Sequence, residues 1–189
     1  MVRILGLDPG LNHTGWGVLE VERGESRRIA SGVINPPKGE TSVRLGVIAE
    51  HAPTQAACER VFVNVNPQST LLLGQARGAA LCAADLAGLA VEEFTPSEIK
   101  QAVTGTGRAD KLMVQEMVMR LLALETHPQA DEADALACAL CAASTLRLRA
   151  LERSGGTVRP SATARHGASS RGARSAWTRL AENREKERK

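Results

Sequence analysis

Aromatic side chains are nearly absent: the 189 residues include two Phe, two Trp and no Tyr. Few rings are therefore available to stack on a nucleobase. Long apolar runs are missing too. Gly78 to Val91 comes nearest and is broken by Asp85, which excludes a bilayer-spanning helix. Met1-Val2-Arg3 leads straight into a strand-like run, without the basic stretch and apolar core of a secretory leader. The expected location is the cytoplasm. Cysteine is limited to Cys58, Cys82, Cys138 and Cys141, all in apolar sequence surroundings. Cys138 and Cys141 form a C-x-x-C, but no second pair stands at metal-ligand spacing. They read as small core residues on one helical face, not as half a zinc site or a redox pair.

A nucleotide-binding phosphate loop is also missing. Asp131-Glu132-Ala133-Asp134 spells a helicase box, but no G-x-x-x-x-G-K-[ST] accompanies it, and the helicase reading falls. Net charge is a modest +3 but unevenly spread. From residue 151 onward, Lys and Arg outnumber Asp and Glu ten to four, so this tail carries +6 and the remainder −3. A mildly acidic body with a basic tail points weakly to nucleic acid.

What is present is organised around Ile4 to Val18. An apolar run ends on Asp8, a Pro9-Gly10 turn follows, and a second strand-like run opens with glycines at 15 and 17. This reads as a tight β-hairpin with Asp8 near its end. Residues 3–8, 14–21 and 27–34 form a three-strand meander. Thr41 or Ser42 caps a short helix to about His51. A buried strand runs from Thr54 to Val65 with Glu59 inside it, and Ser69 caps a long helix to about Leu86. Gly74, Gly78 and several alanines make that helix a surface that another helix can approach closely. A short strand spans 91–94. Thr95 and Glu98 form a capping box for a helix that stops near Val103. Asp110 opens a helix to about Leu124, and Asp131 opens the last one, to about Leu148. Residues 1–149 form one domain, and 150–189 are a basic, disordered tail.

The order βββαβαβααα predicts an α/β fold, a mixed five-stranded sheet flanked by helices. The strand after the first helix then lies parallel to the first strand, which sets Asp8 beside Glu59. Asp131 and Asp134 are three apart and share a helical face. If that helix end lies over the sheet, four carboxylates converge. Such a cluster is unfavourable unless divalent cations fill it, and oxygen-only ligands suit Mg²⁺ or Mn²⁺. Each acid also has an ordinary reading: Asp8 as a turn former, Glu59 paired with Arg60 or Arg77, Asp131 as a cap, Asp134 as helix-dipole dressing.

Five segments carry a specific resemblance: Leu5-Gly6-Leu7-Asp8-Pro9-Gly10, Glu59-Arg60-Val61-Phe62, Leu73-Gly74-Gln75-Ala76-Arg77-Gly78, Lys100 through Lys111, and Gln129 through Ala137. In this order they resemble the successive motifs of RuvC, the bacterial Holliday junction resolvase family. The resemblance implies a ribonuclease H-like fold, a homodimer, two Mg²⁺ per active site with Mn²⁺ as a substitute, and paired symmetric nicks in a four-way DNA junction. It further implies work in recombination and repair beside the RuvA and RuvB branch-migration proteins. Asp8, Glu59, Asp131 and Asp134 match the metal-binding carboxylates, the Asp131 position being often His in relatives. Lys100 and Lys111 match basic residues at the scissile phosphate. Phe62 matches an aromatic that meets unpaired bases, and Arg77 serves either DNA or the dimer.

Two other readings compete. One is a junction-binding protein with impaired catalysis. The other is an actin-like ATPase lobe, which needs a second lobe and a second hairpin. The stretch from Arg44 to Glu59 is also shorter than in relatives by roughly two helical turns, about 11 Å. The crossover survives, since parallel strands need only about a dozen linking residues. The expectation is lowered stability more than altered chemistry, and a cooperative melt at relatives' temperatures would contradict it. The tail either adds salt-sensitive affinity for phosphates or adds none.

Overall fold

The computed structural model describes residues 1–10, 13–35, 43–60 and 67–154. Phe62, the expected caps Thr41 and Ser42, and the tail beyond 154 lie outside these. Strands β1 (Val2–Pro9), β2 (Thr14–Glu22) and β3 (Glu25–Ile34) form the meander. Helix α1 (Val43–His51) leads to β4 (Gln55–Glu59), and α2 (Pro67–Leu86) to β5 (Ala90–Phe94). Three helices follow: α3 (Pro96–Thr104), α4 (Lys111–Leu121) and α5 (Ala130–Arg153). The sheet order is β3-β2-β1-β4-β5, with β4 parallel to both β1 and β5. This is the mixed five-stranded sheet expected from the sequence.

Several boundaries move, each for a local reason. β4 spans Gln55–Glu59, so Glu59 is its last residue, and the expected continuation over 61–65 lies outside the described residues. Its last neighbour bond is Arg60 N–H donating to the Phe94 carbonyl at 2.7 Å, where β5 also stops. α2 begins at Pro67, whose fixed φ suits a first helical position, so Ser69 sits inside the first turn. α4 ends at Leu121, before the left-handed Ala123. α5 starts behind Gln129, not Asp131, and continues past residue 149 to Arg153. The Thr95–Glu98 capping box forms as expected, and left-handed Gly105 closes α3.

Side-chain alternation along the strands divides the molecule into two cores. Ile4, Leu19, Ala57 and Phe94 face α3, α4 and α5. Leu5, Leu7, Val18, Ala56 and Cys58 face α1 and α2. Cys138 and Cys141 are buried in the first core as small apolar residues, and Cys82 is exposed on α2. α5 lies directly on the sheet because its seat has almost no side chains. A Cβ at Gly6 would stand 2.0 Å from the Ala135 carbonyl oxygen, and one at Gly17 would stand 2.5 Å from Leu136 Cδ2. Beneath α1 a narrow apolar crevice is lined by Leu5, Trp16, Val47 and Ile48. There the buried Thr14 Oγ1 has no hydrogen-bond partner among the described residues.

Candidate active site

The β1–β4 register pairs Leu7 with Cys58, so the next step along both strands sets Asp8 beside Glu59. Both belong to the α5 face. The first turns of α5 end over the same sheet edge and deliver Asp131 and Asp134. Carboxylate oxygens of Asp8, Asp131 and Asp134 all lie within 4.8 Å of one another. Glu59 stands outside this tight set, yet close enough that its charge acts on Asp8.

At that separation each like-charged pair costs on the order of 3 kcal/mol at an effective dielectric of 20. The half-buried Asp8 shows the strain. Burial first, then the charges of Asp134, Glu59 and Asp131, push its carboxyl from 3.8 up to about 7. Glu59 is also raised, by burial and by Asp134. Hard oxygen donors carrying excess negative charge fit a divalent cation such as Mg²⁺ or Mn²⁺. Capping does not account for these acids, because Gln129 occupies the cap and donates its backbone N–H to Glu132 at 3.1 Å.

Lys111 Nζ stands 2.8 Å from Asp134 Oδ2. It occupies the first turn of α4, just after the capping Asp110, whose Oδ1 accepts from Met113 N–H at 2.8 Å. A cation there opposes the helix dipole, so the position serves the carboxylates and not the helix. The bond to Asp134 in turn raises the Lys111 ammonium above its usual range. Lys100, on α3, joins Glu59, Lys111 and Asp134 around a cleft of about 250 Å³ with apolar walls from Ile99 and Val114. Both lysines therefore border the acidic cluster.

Arg77 does not. Its guanidinium donates to Glu93 at 2.6 Å and to the Glu59 carbonyl at 3.4 Å. Glu93 points to the α2 side, so Arg77 braces the ends of β4 and β5 from the face opposite the carboxylates. Nor does either arginine pair with the Glu59 carboxylate: Arg60 too is directed to Glu93, at 3.9 Å. Two participants escaped the sequence reading, Gly15 and the Ser31–Glu132 hydrogen bond. The signal for Gly15 was present: glycine inside a strand marks a close backbone approach.

Residues 4–142 match the family described as crossover junction endodeoxyribonuclease RuvC. The protein of that name from Burkholderia multivorans is 55% identical over 148 residues, covering 74% of this chain and 82% of its relative. Among solved structures, Thermus thermophilus RuvC in complex with a Holliday junction substrate superposes with a TM-score of 0.72 at 32% identity, covering 79% of this chain and 97% of that one. The yeast mitochondrial Holliday junction resolvase Ydc2 shares the fold alone, with a TM-score of 0.56 at 12% identity and 81% of each chain covered. With its five-stranded mixed sheet, its acidic cluster and this extent of similarity, the chain belongs to the RuvC family of crossover junction endodeoxyribonucleases.

Proposed function

We propose that this chain resolves four-way Holliday junctions by paired symmetric nicks, with Asp8, Glu59, Asp131 and Asp134 holding two Mg²⁺ ions, or Mn²⁺ in their place. The observation that carries this is the convergence of Asp8, Asp131 and Asp134 from opposite ends of the sequence within 4.8 Å. Bound there, divalent ions supply an activated water and stabilise the leaving oxygen of phosphodiester hydrolysis. These carboxylates would hold the ions, with Asp8 the one on which the charges of the other three all act. Lys100 and Lys111 hold the scissile phosphate as point charges beside the acids. Phe62, which lies outside the described residues, serves as the base-contacting wedge.

Paired nicks need two copies. α2 offers the surface for the second: Leu71, Leu72 and Leu86 are exposed, and among the described residues a Cβ at Gly74 or Gly78 meets nothing within 4 Å. No described helix is long and apolar enough to cross a membrane, and the cytoplasm, beside RuvA and RuvB, is the proposed setting.

A synthetic mobile four-way junction, incubated with Mg²⁺ or with EDTA, tests this reading. The expected result is opposed nicks in two strands of like sequence, made only with Mg²⁺, by a species sedimenting at twice the 20.1 kDa chain mass. Tight junction binding without nicks would establish the impaired binder instead.

A further inference from the structure

We propose that Gly15 is a positioning residue for the metal-binding carboxylates of α5, a reading that rests on the metal centre proposed above. Gly15 is the residue opposite Asp8 in the β1–β2 ladder. A Cβ on it would lie 1.8 Å from the Asp131 carbonyl oxygen, 2.4 Å from the Asp131 carbonyl carbon and 3.2 Å from the Asp131 Cα. The obstacle is helix backbone, which cannot swing aside as the end of a long side chain can. Gly15 does not lie in the left-handed region, so the position demands space and not conformational freedom. One point on β2 therefore fixes both partners: Asp8 through the ladder, and Asp131 through direct contact.

A second contact holds the same turn from the side. Ser31, on β3, donates its hydroxyl to Glu132 Oε1 at 2.6 Å, while Glu132 Oε2 accepts the Gln129 N–H. Gly15 sets how deep the first turn of α5 sits, and Ser31 sets where it sits across the sheet. An alanine at 15 must lift that turn by ~1.6 Å to carry the Asp131 carbonyl oxygen from 1.8 Å to ordinary contact at 3.4 Å. Functional constellations tolerate about 0.5 Å, and a displacement of about 1 Å can cost roughly 10²-fold. The expected consequence is weakened ion binding in a protein that still folds.

The test uses the full chain and measures Mn²⁺ binding by calorimetry without DNA, alongside the Mg²⁺ concentration for half-maximal junction nicking. Gly15→Ala is expected to weaken Mn²⁺ by about tenfold or more and to raise the Mg²⁺ requirement in parallel. Its junction affinity in EDTA should stay unchanged. Val18→Ala empties part of the opposite core, and is expected to lower the melting temperature while leaving Mn²⁺ affinity alone. Ser31→Ala is expected to weaken Mn²⁺ less than Gly15→Ala, with Ser31→Thr restoring it. A folded Gly15→Ala protein with wild-type Mn²⁺ affinity overturns the proposal. Should Gly15→Ala not fold, wild-type Mn²⁺ affinity in Ser31→Ala overturns it equally. Asp8→Asn separates the two levels: if it binds Mn²⁺ as the wild type does, the metal centre itself is wrong.

Discussion

Asp8→Asn is expected to abolish nicking and, in the same protein, to raise the melting temperature measured in EDTA at about pH 8. The two effects have one cause. In the unfolded chain Asp8 ionises near its ordinary 3.8, whereas in the folded protein it holds its proton to about 7. Between those values the unfolded chain binds fewer protons than the native one, so stability falls as pH rises. Below about pH 4 the penalty is absent, and above about 7 it is complete. Asparagine keeps the shape and removes the charge. The gain at about pH 8 should be about 1–3 kcal/mol, allowing for solvent around a half-buried group, and should vanish near pH 3.5. The loss of nicking should be at least about 10²–10³-fold, the scale of one electrostatic element in an active site. Added Mg²⁺ should stabilise the wild type, since ligands that bind only the folded state do so, and leave Asp8→Asn unmoved. Equal melting of the two proteins in EDTA at about pH 8 would refute the electrostatic account.

Lys111→Met is expected to do the opposite to stability and the same to activity. Lys111 is the cation bonded to Asp134, and its charge lowers the carboxyls of both Asp8 and Glu59. Without it the acidic cluster has lost a counter-charge, so the metal-free protein should melt lower than wild type at about pH 8. The Lys111 side chain is 61% exposed, which limits the loss to about 1 kcal/mol or less. Mg²⁺ should recover most of that difference, because the ions replace the missing positive charge. Nicking should nonetheless fall about 10²-fold, since the cation beside the phosphate is gone. Junction binding in EDTA should change little. Differential scanning in EDTA and in Mg²⁺, with single-turnover nicking, checks both halves. A Lys111→Met protein that nicks at the wild-type rate would remove Lys111 from the mechanism.

Much of this site was legible because its parts obey short-range rules. Asp8 closes an apolar run before Pro9-Gly10, and the crossover rule places Glu59 beside it. Asp131 and Asp134 share a face by helical spacing alone. What spacing could not reveal was the partner of each charge. Arg77 stands eighteen positions after Glu59 in sequence, yet its guanidinium goes to Glu93, because α2 covers the face to which Glu93 points. The end of β4 was also hidden. Val61-Phe62-Val63 continues the apolar run of the strand, and only the end of its neighbour β5 at Phe94 marks the stop. The α5 cap was assigned to Asp131 because aspartate favours that role; Gln129 takes it because its backbone N–H meets Glu132. Gly15 carried a readable signal, but which helix would press on it depended on contacts between distant parts of the chain.

The distance in sequence between Asp8 and Asp134 has a consequence for the protein's birth. A ribosome releases the chain from its N-terminus, and domains fold as units as they emerge. β1 and β2 are made first, carrying Asp8 and its ladder partner Gly15, but α5 is made last among the described elements. A product that stops before α5 cannot assemble the acidic cluster, because two of the three clustered carboxylates are encoded beyond residue 130. On the function proposed above, a copy terminated before α5 lacks the centre that cuts DNA, so the cutting site forms only after β1 to β5 are already made.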